Sequence, residues 1–248
     1  MLKKTTQLPE AESSGQRFIS SVSRRKFLNY AGASAGAIMV ASSCKKELRG
    51  GVSASTFAHD DPHNLPPNVV QLGSGDIGIL NYAYALEQLE AAFYIKVIES
   101  KYSGMTTKEE EYLTDIRDHE IAHREFFKNA LGTNAIPNLL VNFSSITFSS
   151  RDSVLGTAKA FEDLGVAAYN GAGELLQSAD YLLLAGKIVS VEARHAASIR
   201  DLISYGTFAD NTVVDGMGLD VYKTPPEVIG IASNFLVTKI LTNKLPTS

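Results

Sequence analysis

Apolar residues recur along residues 76–205 at the three- and four-residue spacing of amphipathic helices. Breaks that contain serine or glycine divide this region into four long segments. The sequence therefore predicts four helices, at Ile77 to about Tyr102, Thr107 to about Leu131, Asp152 to about Gln177, and about Ala179 to Tyr205.

Local signals predict where these helices begin and end. Asp76 is the expected N-cap of the first helix, and Thr107 with Glu110 forms the capping box expected for the second. Gly132 and Gly206 are expected to stop the second and fourth helices.

The lengths of the connections predict the topology. Short turns join the first helix to the second and the third to the fourth, whereas residues 132–151 separate the second from the third. Short turns make antiparallel hairpins, and a long middle connection crosses the bundle. The expected fold is all-α, a four-helix bundle over residues 76–205 with a long crossover between helices 2 and 3.

The C-terminal extension, residues 206–248, carries one further helix signal. Thr224 and Glu227 form a capping box, with proline at the first helical position. They predict a short amphipathic helix from Glu227 to about Leu241 on the outside of the bundle.

One motif occurs twice, as Glu120–His123 on the second helix and Glu192–His195 on the fourth. A step of three residues is about 300° of helix rotation, so each Glu and His share a face and can reach one metal ion. With 15 Glu and 5 His in the chain, chance would give about 0.3 such pairs. Two copies, both in helical context, therefore indicate a metal site.

The first and third helices carry a second repeat. Glu87 and Glu162 are each followed by Leu at +2, Ala at +5 and Tyr at +7, and these tyrosines are Tyr94 and Tyr169. Seven residues is only about 20° short of two turns, so each Tyr shares a stripe with its own Glu. A core-facing Glu is costly unless it is paired or binds a metal ion.

Depth along the bundle tests these positions. Glu87 and Glu120 lie at similar distances from the turn that joins their helices, and Glu162 and Glu192 pass the same test. Glu174 also has a Tyr at +7, but it lies too close to its turn to match Glu192. Glu162 is therefore the preferred candidate on the third helix.

Two neighbouring residues have alternative interpretations. Glu90 lies one turn from Glu87 on an adjoining face and could bridge to it or replace it as an additional ligand. The matching position on the third helix is Gly165, which favours Glu87 as the ligand. His119 points about 100° away from Glu120, which predicts a surface position or an outer contact of the site.

These residues together resemble the di-metal carboxylate site of the ferritin-like superfamily. The candidate ligands are Glu87, Glu120, His123, Glu162, Glu192 and His195. Within that superfamily the chain is similar, over roughly residues 76–205, to exported ferritin-like domain proteins related to the plant desiccation-related proteins. The resemblance implies two iron or manganese ions, with oxygen, peroxide or ferrous iron as substrate in a ferroxidase, peroxidase or catalase-like reaction. Tyr94 and Tyr169 are then candidate catalytic side chains behind the ligands.

Two alternatives stay open at this point. The bundle could bury Glu–His hydrogen bonds without any metal ion. The protein could also be a non-enzymatic stress or surface interaction module with a structural metal or none. In both cases the fold would be the same, so only the chemistry of the site distinguishes them.

The N-terminal residues 1–43 are typical of a targeting segment. Residues 23–28 resemble the twin-arginine export signal, and the apolar stretch that follows is too short to span a bilayer comfortably. Residues 41–44 resemble a lipoprotein box, which implies a lipid on Cys44 and membrane anchoring in the periplasm or at the cell surface. The residues that follow contain glycines, prolines and a serine-rich stretch without helical or strand periodicity, which predicts a flexible tether over 44–75. A plain cleavage nearby and a buried N-terminal helix are the alternatives.

Charge and cysteine content narrow the function classes. Residues 1–43 hold six basic and two acidic residues, whereas the remainder holds 17 basic and 25 acidic residues. Residues 44–248 are acidic overall and lack a stripe of basic residues, which argues against nucleic acid as a partner. A single Cys excludes an internal disulfide and Cys-rich metal sites. A homo-oligomer is compatible with the sequence, which does not fix the oligomeric state.

Overall fold

The computed structural model describes residues 65–247, in which four long helices dominate. They are α1, Gly75–Glu99; α2, Thr107–Leu131; α3, Arg151–Gly173; and α4, Ala179–Ile203. A short helix follows, α5, Pro225–Ala232. The predicted all-α fold class is confirmed. The export signal, Cys44 and the predicted tether up to residue 64 lie outside the described residues.

The long helices form two pairs that pack against each other. α1 packs along α2 and α3 packs along α4, as the short turns between them require. The two pairs meet where α1 contacts α3 and where α2 contacts α4. Helix α1 is central, because every residue from 78 to 91 is buried. It therefore lacks the polar face of an ordinary surface helix.

The long connection between α2 and α3, residues 132–150, is fixed to α1 by two buried amides. The Asn81 side-chain oxygen accepts a hydrogen bond from the backbone N–H of Ile136 at 2.9 Å. The Gln88 side-chain oxygen accepts one from the N–H of Leu139 at 2.8 Å. These bonds satisfy backbone groups in a segment that has little regular structure, and they hold the crossover along α1.

The capping box of α2 lies one residue earlier than predicted. The Thr106 hydroxyl accepts a hydrogen bond from the Glu109 N–H at 3.2 Å, and the Glu109 carboxylate accepts one from the Thr106 N–H at 2.9 Å. The expected box of Thr107 and Glu110 is therefore wrong. Both registers suit the local sequence, but the observed one lets Glu109 bind Arg151 at 2.6 Å.

The N-cap of α1 is Ser74, so the prediction of Asp76 is wrong. Asp76 lies in the first turn of α1, and its carboxylate accepts hydrogen bonds from the backbone N–H groups of Gln177 and Ser178, at 2.8 and 2.9 Å. These two residues form the turn between α3 and α4. Asp76 thus fixes a turn that is distant in sequence, which a local capping signal does not show.

Helix ends differ modestly from expectation. α1, α3 and α4 stop two to four residues earlier than predicted, whereas α2 ends at Leu131 as expected. Gly132 follows it with a φ of 54°, a conformation that glycine adopts without strain. Glu174 lies just beyond α3 and is exposed, away from the middle of the bundle.

The two ends of the described chain meet in a small parallel sheet. Strand β1, Val69–Gln71, pairs with β2, Lys239–Leu241, so that Val70 lies opposite Ile240. Leu72, directly after β1, is fully buried. The predicted flexible tether is therefore wrong for its last residues, because each strand needs a partner remote in sequence and neither is recognisable alone.

The C-terminal helix is shorter than predicted. The capping box of Thr224 and Glu227 is confirmed, and α5 starts at Pro225. It ends at Ala232 instead of about Leu241, because a 3-10 turn and then β2 follow. α5 packs on α3 and buries Val228. Among residues 65–247, none of the helices has the length and hydropathy that a membrane span requires.

Candidate metal centre

Six ionisable side chains meet inside the bundle, and all four long helices contribute. They are Glu87 of α1, Glu120 and His123 of α2, Glu162 of α3, and Glu192 and His195 of α4. The four carboxylates have 0% exposed surface, His195 is 4% exposed and the His123 side chain is 13% exposed. The structure thus brings together every residue that the sequence singled out as a candidate ligand.

These side chains form two overlapping groups, in each of which the ligand atoms lie within 4.8 Å of one another. The first group consists of Glu87, Glu120, His123 and Glu192, and the second of Glu120, Glu162, Glu192 and His195. Glu120 and Glu192 belong to both. Each group could hold a metal ion, and the two shared carboxylates lie between them.

Each imidazole turns its Nδ1 atom toward the carboxylates. His123 Nδ1 lies 2.8 Å from Glu192 Oε1 and 3.4 Å from Glu87 Oε2. His195 Nδ1 lies 2.8 Å from Glu120 Oε1 and 3.5 Å from Glu162 Oε2. The arrangement has approximate two-fold symmetry, because the nearest carboxylate to each His comes from the opposite pair of helices.

Eight side-chain atoms of this cluster are buried without a hydrogen-bond partner within residues 65–247. They are Glu87 Oε2, both oxygens of Glu120, His123 Nδ1, Glu162 Oε2, both oxygens of Glu192, and His195 Nδ1. The short Nδ1–oxygen contacts lack hydrogen-bond alignment, so they leave these atoms unsatisfied. Buried polar atoms without partners are costly. A cation that accepts all of them removes this cost, so the donor set fits a metal.

The pKa values of the cluster's carboxyl groups indicate where bound protons offset its negative charge when no cation is bound. Burial and the neighbouring Glu192 raise the pKa of the Glu120 carboxyl well above its usual range. Burial raises the pKa of Glu162 to about 7. Burial would also raise the pKa of Glu192, but contacts with His123 and His195 outweigh it and lower this pKa to about 2. The cluster therefore retains protons that a bound cation would displace.

Two tyrosines hold the outer oxygens of the cluster. The Tyr94 hydroxyl of α1 donates to Glu162 Oε1 of α3 at 2.5 Å, and the Tyr169 hydroxyl of α3 donates to Glu87 Oε1 of α1. Sequence periodicity placed each Tyr beneath its own Glu, whereas each hydroxyl binds the Glu of the other helix. The crossed bonds occupy one oxygen of each carboxylate and leave Oε2 directed at the cluster.

His119 contacts the cluster from outside. Its Nδ1 lies 2.9 Å from His195 Nε2, and the two rings stack at 11° with centroids 5.1 Å apart. His119 is itself exposed to solvent. The sequence left a surface position and an outer contact as alternatives, and the structure shows that His119 is both. Its position in α2, directly before Glu120, gave no signal of the ring that it meets on α4.

Glu90 is buried at the edge of the cluster, and its carboxylate belongs to neither group. Burial and the charge of Glu120 raise the pKa of Glu90 well above its usual range. Gly165 faces it, since a Cβ atom at that position would lie 3.1 Å from Glu90 Oε1. The glycine at the position matching Glu90 thus leaves space for the Glu90 carboxylate.

A comparison with known families agrees with this geometry. The sequence model described as the ferritin-like domain matches residues 75–205, which include all four long helices and all six residues of the cluster. A comparison with curated proteins finds no match.

Proposed function

Because the chain belongs to the ferritin-like domain family, we propose that it is a di-metal carboxylate protein that acts on dioxygen, peroxide or ferrous iron. The observation that carries this proposal is the pair of overlapping groups that share Glu120 and Glu192. Two groups with shared carboxylates suit two cations better than one.

Each residue has a place in this proposal. Glu87 and His123 would hold one ion, Glu162 and His195 would hold the other, and Glu120 and Glu192 could contribute to both. Carboxylate oxygens and imidazole nitrogens suit iron and manganese. When bound, such ions would supply one-electron redox chemistry.

The chain's own side chains prepare the site for this chemistry. The hydroxyls of Tyr94 and Tyr169 orient the carboxylates of Glu162 and Glu87 by fixing one oxygen of each. Helices α1 to α4 exclude water from all four carboxylates. His195 Nδ1 must be unprotonated to bind a metal, so Nε2 would then carry the ring's proton and donate a hydrogen bond to His119 Nδ1.

The reactions in question differ in their electron balance. In ferrous iron oxidation by dioxygen, two Fe²⁺ ions lose one electron each, and one O₂ takes both electrons and two protons to become hydrogen peroxide. With peroxide as oxidant, one H₂O₂ takes two electrons and two protons and becomes two waters. In disproportionation, two H₂O₂ give two waters and one O₂, without an outside reductant.

We also propose that the protein is exported and anchored to a membrane through a lipid on Cys44. The twin-arginine-like residues 23–28 and the lipoprotein-like residues 41–44 support this. Because twin-arginine export carries folded proteins, the metal would be loaded before export. Cys44→Ser is expected to move the protein from the membrane fraction to the soluble fraction and to abolish incorporation of labelled palmitate. Unchanged fractionation and no label in the parent protein would contradict the anchor.

Metal content tests the central proposal. Protein purified from its native compartment is expected to contain about two iron or manganese ions per chain. Glu120→Gln with Glu192→Gln removes both shared carboxylates and should lower the content below about one ion per chain. Glu174→Gln is the matched control, because Glu174 is exposed and lies beyond α3. Less than about one ion in the parent protein, unchanged in the double variant, would refute the proposal.

Activity assays then distinguish an enzyme from a metal-binding protein that has no catalytic activity. Metal-loaded protein is expected to consume oxygen with ferrous iron, or to evolve gas from peroxide, and the double variant should do neither. Circular dichroism of both proteins checks that the variant keeps its helices. Inactivity of the metal-loaded protein in both assays would favour a non-enzymatic ferritin-like module with a structural metal.

A further inference from the structure

An apolar cavity of about 30 Å³ lies inside the bundle, beside the metal centre. Its lining residues fall within 79–86 of α1, 126–130 of α2, 168–173 of α3 and 181–185 of α4, with Leu176 just beyond α3. On α1 and α4 they precede the cluster residues, and on α2 and α3 they follow them. In antiparallel helices this ordering places the cavity at one end of the bundle.

The wall of the cavity favours an apolar occupant. It is almost wholly apolar, and the hydroxyl of Tyr169 is already bonded to Glu87. Tyr82 also lines the cavity, and its buried hydroxyl has no hydrogen-bond partner in the described part of the chain. A single hydroxyl is fewer than the two to four polar partners that an ordered water needs. The volume exceeds the roughly 10–15 Å³ that one water requires, so size does not exclude a small guest.

The side chain of Tyr169 links the cavity to the cluster. Tyr169 forms part of the cavity wall, and its hydroxyl binds Glu87. Leu86, the residue directly before Glu87, forms another part. A molecule in the cavity therefore contacts the side chain that orients a cluster carboxylate.

The outer side of the cavity lies between α2 and α4. Its walls on α1 and α3 are buried, as Ala83 and Ala172 illustrate, except at Gly173, which is half-buried. Its walls on α2 and α4 include half-buried residues, among them Ala130 and Ala185. This half-buried wall is completed by Phe126, Tyr181 and Leu184.

We propose that this cavity is a binding site for a small apolar molecule, and that its ligand is dioxygen on its way to the metal centre. The identity of the ligand rests on the proposed function, whereas the apolar binding site does not. Dioxygen is small and uncharged and loses little on leaving water, so a wall without polar partners accepts it. Hydrogen peroxide needs hydrogen bonds and is expected to reach the centre by another path.

Xenon is the probe for the site itself, since it is apolar and binds to dry protein cavities without any metal or turnover. Crystals of the purified protein under xenon pressure are expected to show one xenon atom against Tyr169, Leu86 and Ala83. Absence of xenon from the cavity would overturn the proposal.

Variants that fill the cavity give a second test. Ala130→Leu on α2 and Ala185→Leu on α4 are expected to weaken xenon binding at least about tenfold, measured by ¹²⁹Xe NMR in solution, because leucine occupies the space. Ala122→Leu is the matched control on α2, as Ala122 is exposed and does not line the cavity. Equal binding in all of these proteins would overturn the proposal. Two filling variants on different helices guard against misfolding of either.

Ferrous iron oxidation by metal-loaded protein identifies the ligand. At low oxygen concentration, the filling variants should oxidise ferrous iron at least about fivefold more slowly than the parent, with peroxide-driven oxidation unchanged. Equal slowing with both oxidants, or no slowing with oxygen, would overturn the assignment of dioxygen. A parent protein inactive with both oxidants would refute ferrous iron oxidation as the function and with it the assignment of dioxygen, and the xenon measurements would still decide whether the apolar site exists.

Discussion

The imidazole of His119 stacks on that of His195, with His119 Nδ1 2.9 Å from His195 Nε2. Nε2 can donate a hydrogen bond to His119, which keeps the proton at Nε2 and leaves Nδ1, the atom that faces the carboxylates, free to bind a metal. An exposed side chain thereby controls the orientation of a buried one. Outer contacts of this type commonly change metal affinity without contacting the metal.

Replacement of His119 is therefore expected to weaken the site without dismantling it. His119→Ala should raise the Kd for Mn²⁺ about 10–100-fold, measured by isothermal titration calorimetry. His119→Gln, whose amide can keep a hydrogen bond to Nε2, should lose less affinity. Equal Kd values for the parent and His119→Ala would show that the stacked ring has no role in metal binding.

Metal affinity is expected to fall as the pH is lowered from 8 to 6. Glu162 has a pKa raised to about 7 by burial, so below that pH it holds a proton that must leave when a cation binds. Burial opposes protonation of His195, but contacts with the carboxylates raise its pKa to about 12, so this ring also releases a proton. The Kd for Mn²⁺ should therefore rise at least about tenfold per pH unit. A pH-independent Kd would contradict this sign.

The same shift predicts how the metal-free protein responds to pH. Glu162 binds its proton more tightly when folded than when unfolded, because its pKa rises on folding. Its contribution to the free energy of unfolding should therefore decrease as the pH rises from about 4.5 to 7. Urea unfolding of Glu162→Gln, which does not titrate, should show a smaller dependence over this range than the parent. An identical dependence would assign the effect to other groups.

Removal of the crossed tyrosine hydroxyls should destabilise the bundle. Tyr94→Phe leaves Glu162 Oε1 buried without its donor, and Tyr169→Phe does the same to Glu87 Oε1. Each is expected to cost about 1–3 kcal/mol in the free energy of unfolding, measured with urea on metal-free protein. Tyr205→Phe is the control, since Tyr205 is 93% exposed. A loss no larger than that of the control would mean that these hydrogen bonds add little.

Alanine substitutions at two glycines of α3 should change the free energy of unfolding in opposite directions. A Cβ atom at Gly171 would lie 1.9 Å from the Lys223 carbonyl oxygen, because the chain before α5 crosses α3 there. Gly171→Ala is expected to cost about 1–3 kcal/mol in the free energy of unfolding. At Gly156 nothing lies within 4 Å, so Gly156→Ala should stabilise the helix by about 0.5–1 kcal/mol. Equal effects of the two substitutions on Tm would contradict the close approach.

The helices and the position of the cluster could be predicted because both depend on local periodicity. Glu120 and His123 share a face by their spacing alone, and equal distances from the turns bring Glu87 and Glu162 to the same depth. Helix geometry and the cost of burying charge are therefore enough to identify all six residues that the structure brings together.

Contacts between helices could not be predicted in the same way. Tyr94 shares a stripe with Glu87, but its hydroxyl binds Glu162 of α3, which depends on how α1 and α3 are rotated about their axes. Asp76 was misassigned because its partners, Gln177 and Ser178, are remote in sequence. Asn81 binds the backbone of the crossover at Ile136, a contact that no pattern within α1 shows. Each case requires a relative position that a single helix does not contain.

The small sheet of β1 and β2 has a mechanical consequence. β1 lies between residue 65 and α1, so tension applied from the N-terminal side reaches this ladder before the bundle. Parallel strands pulled along their length resist by shear of several hydrogen bonds at once, and Leu72 anchors the same segment in the core. If Cys44 carries a lipid, a pulling force from the membrane would load the β1–β2 ladder before it reached the helices that carry the metal centre.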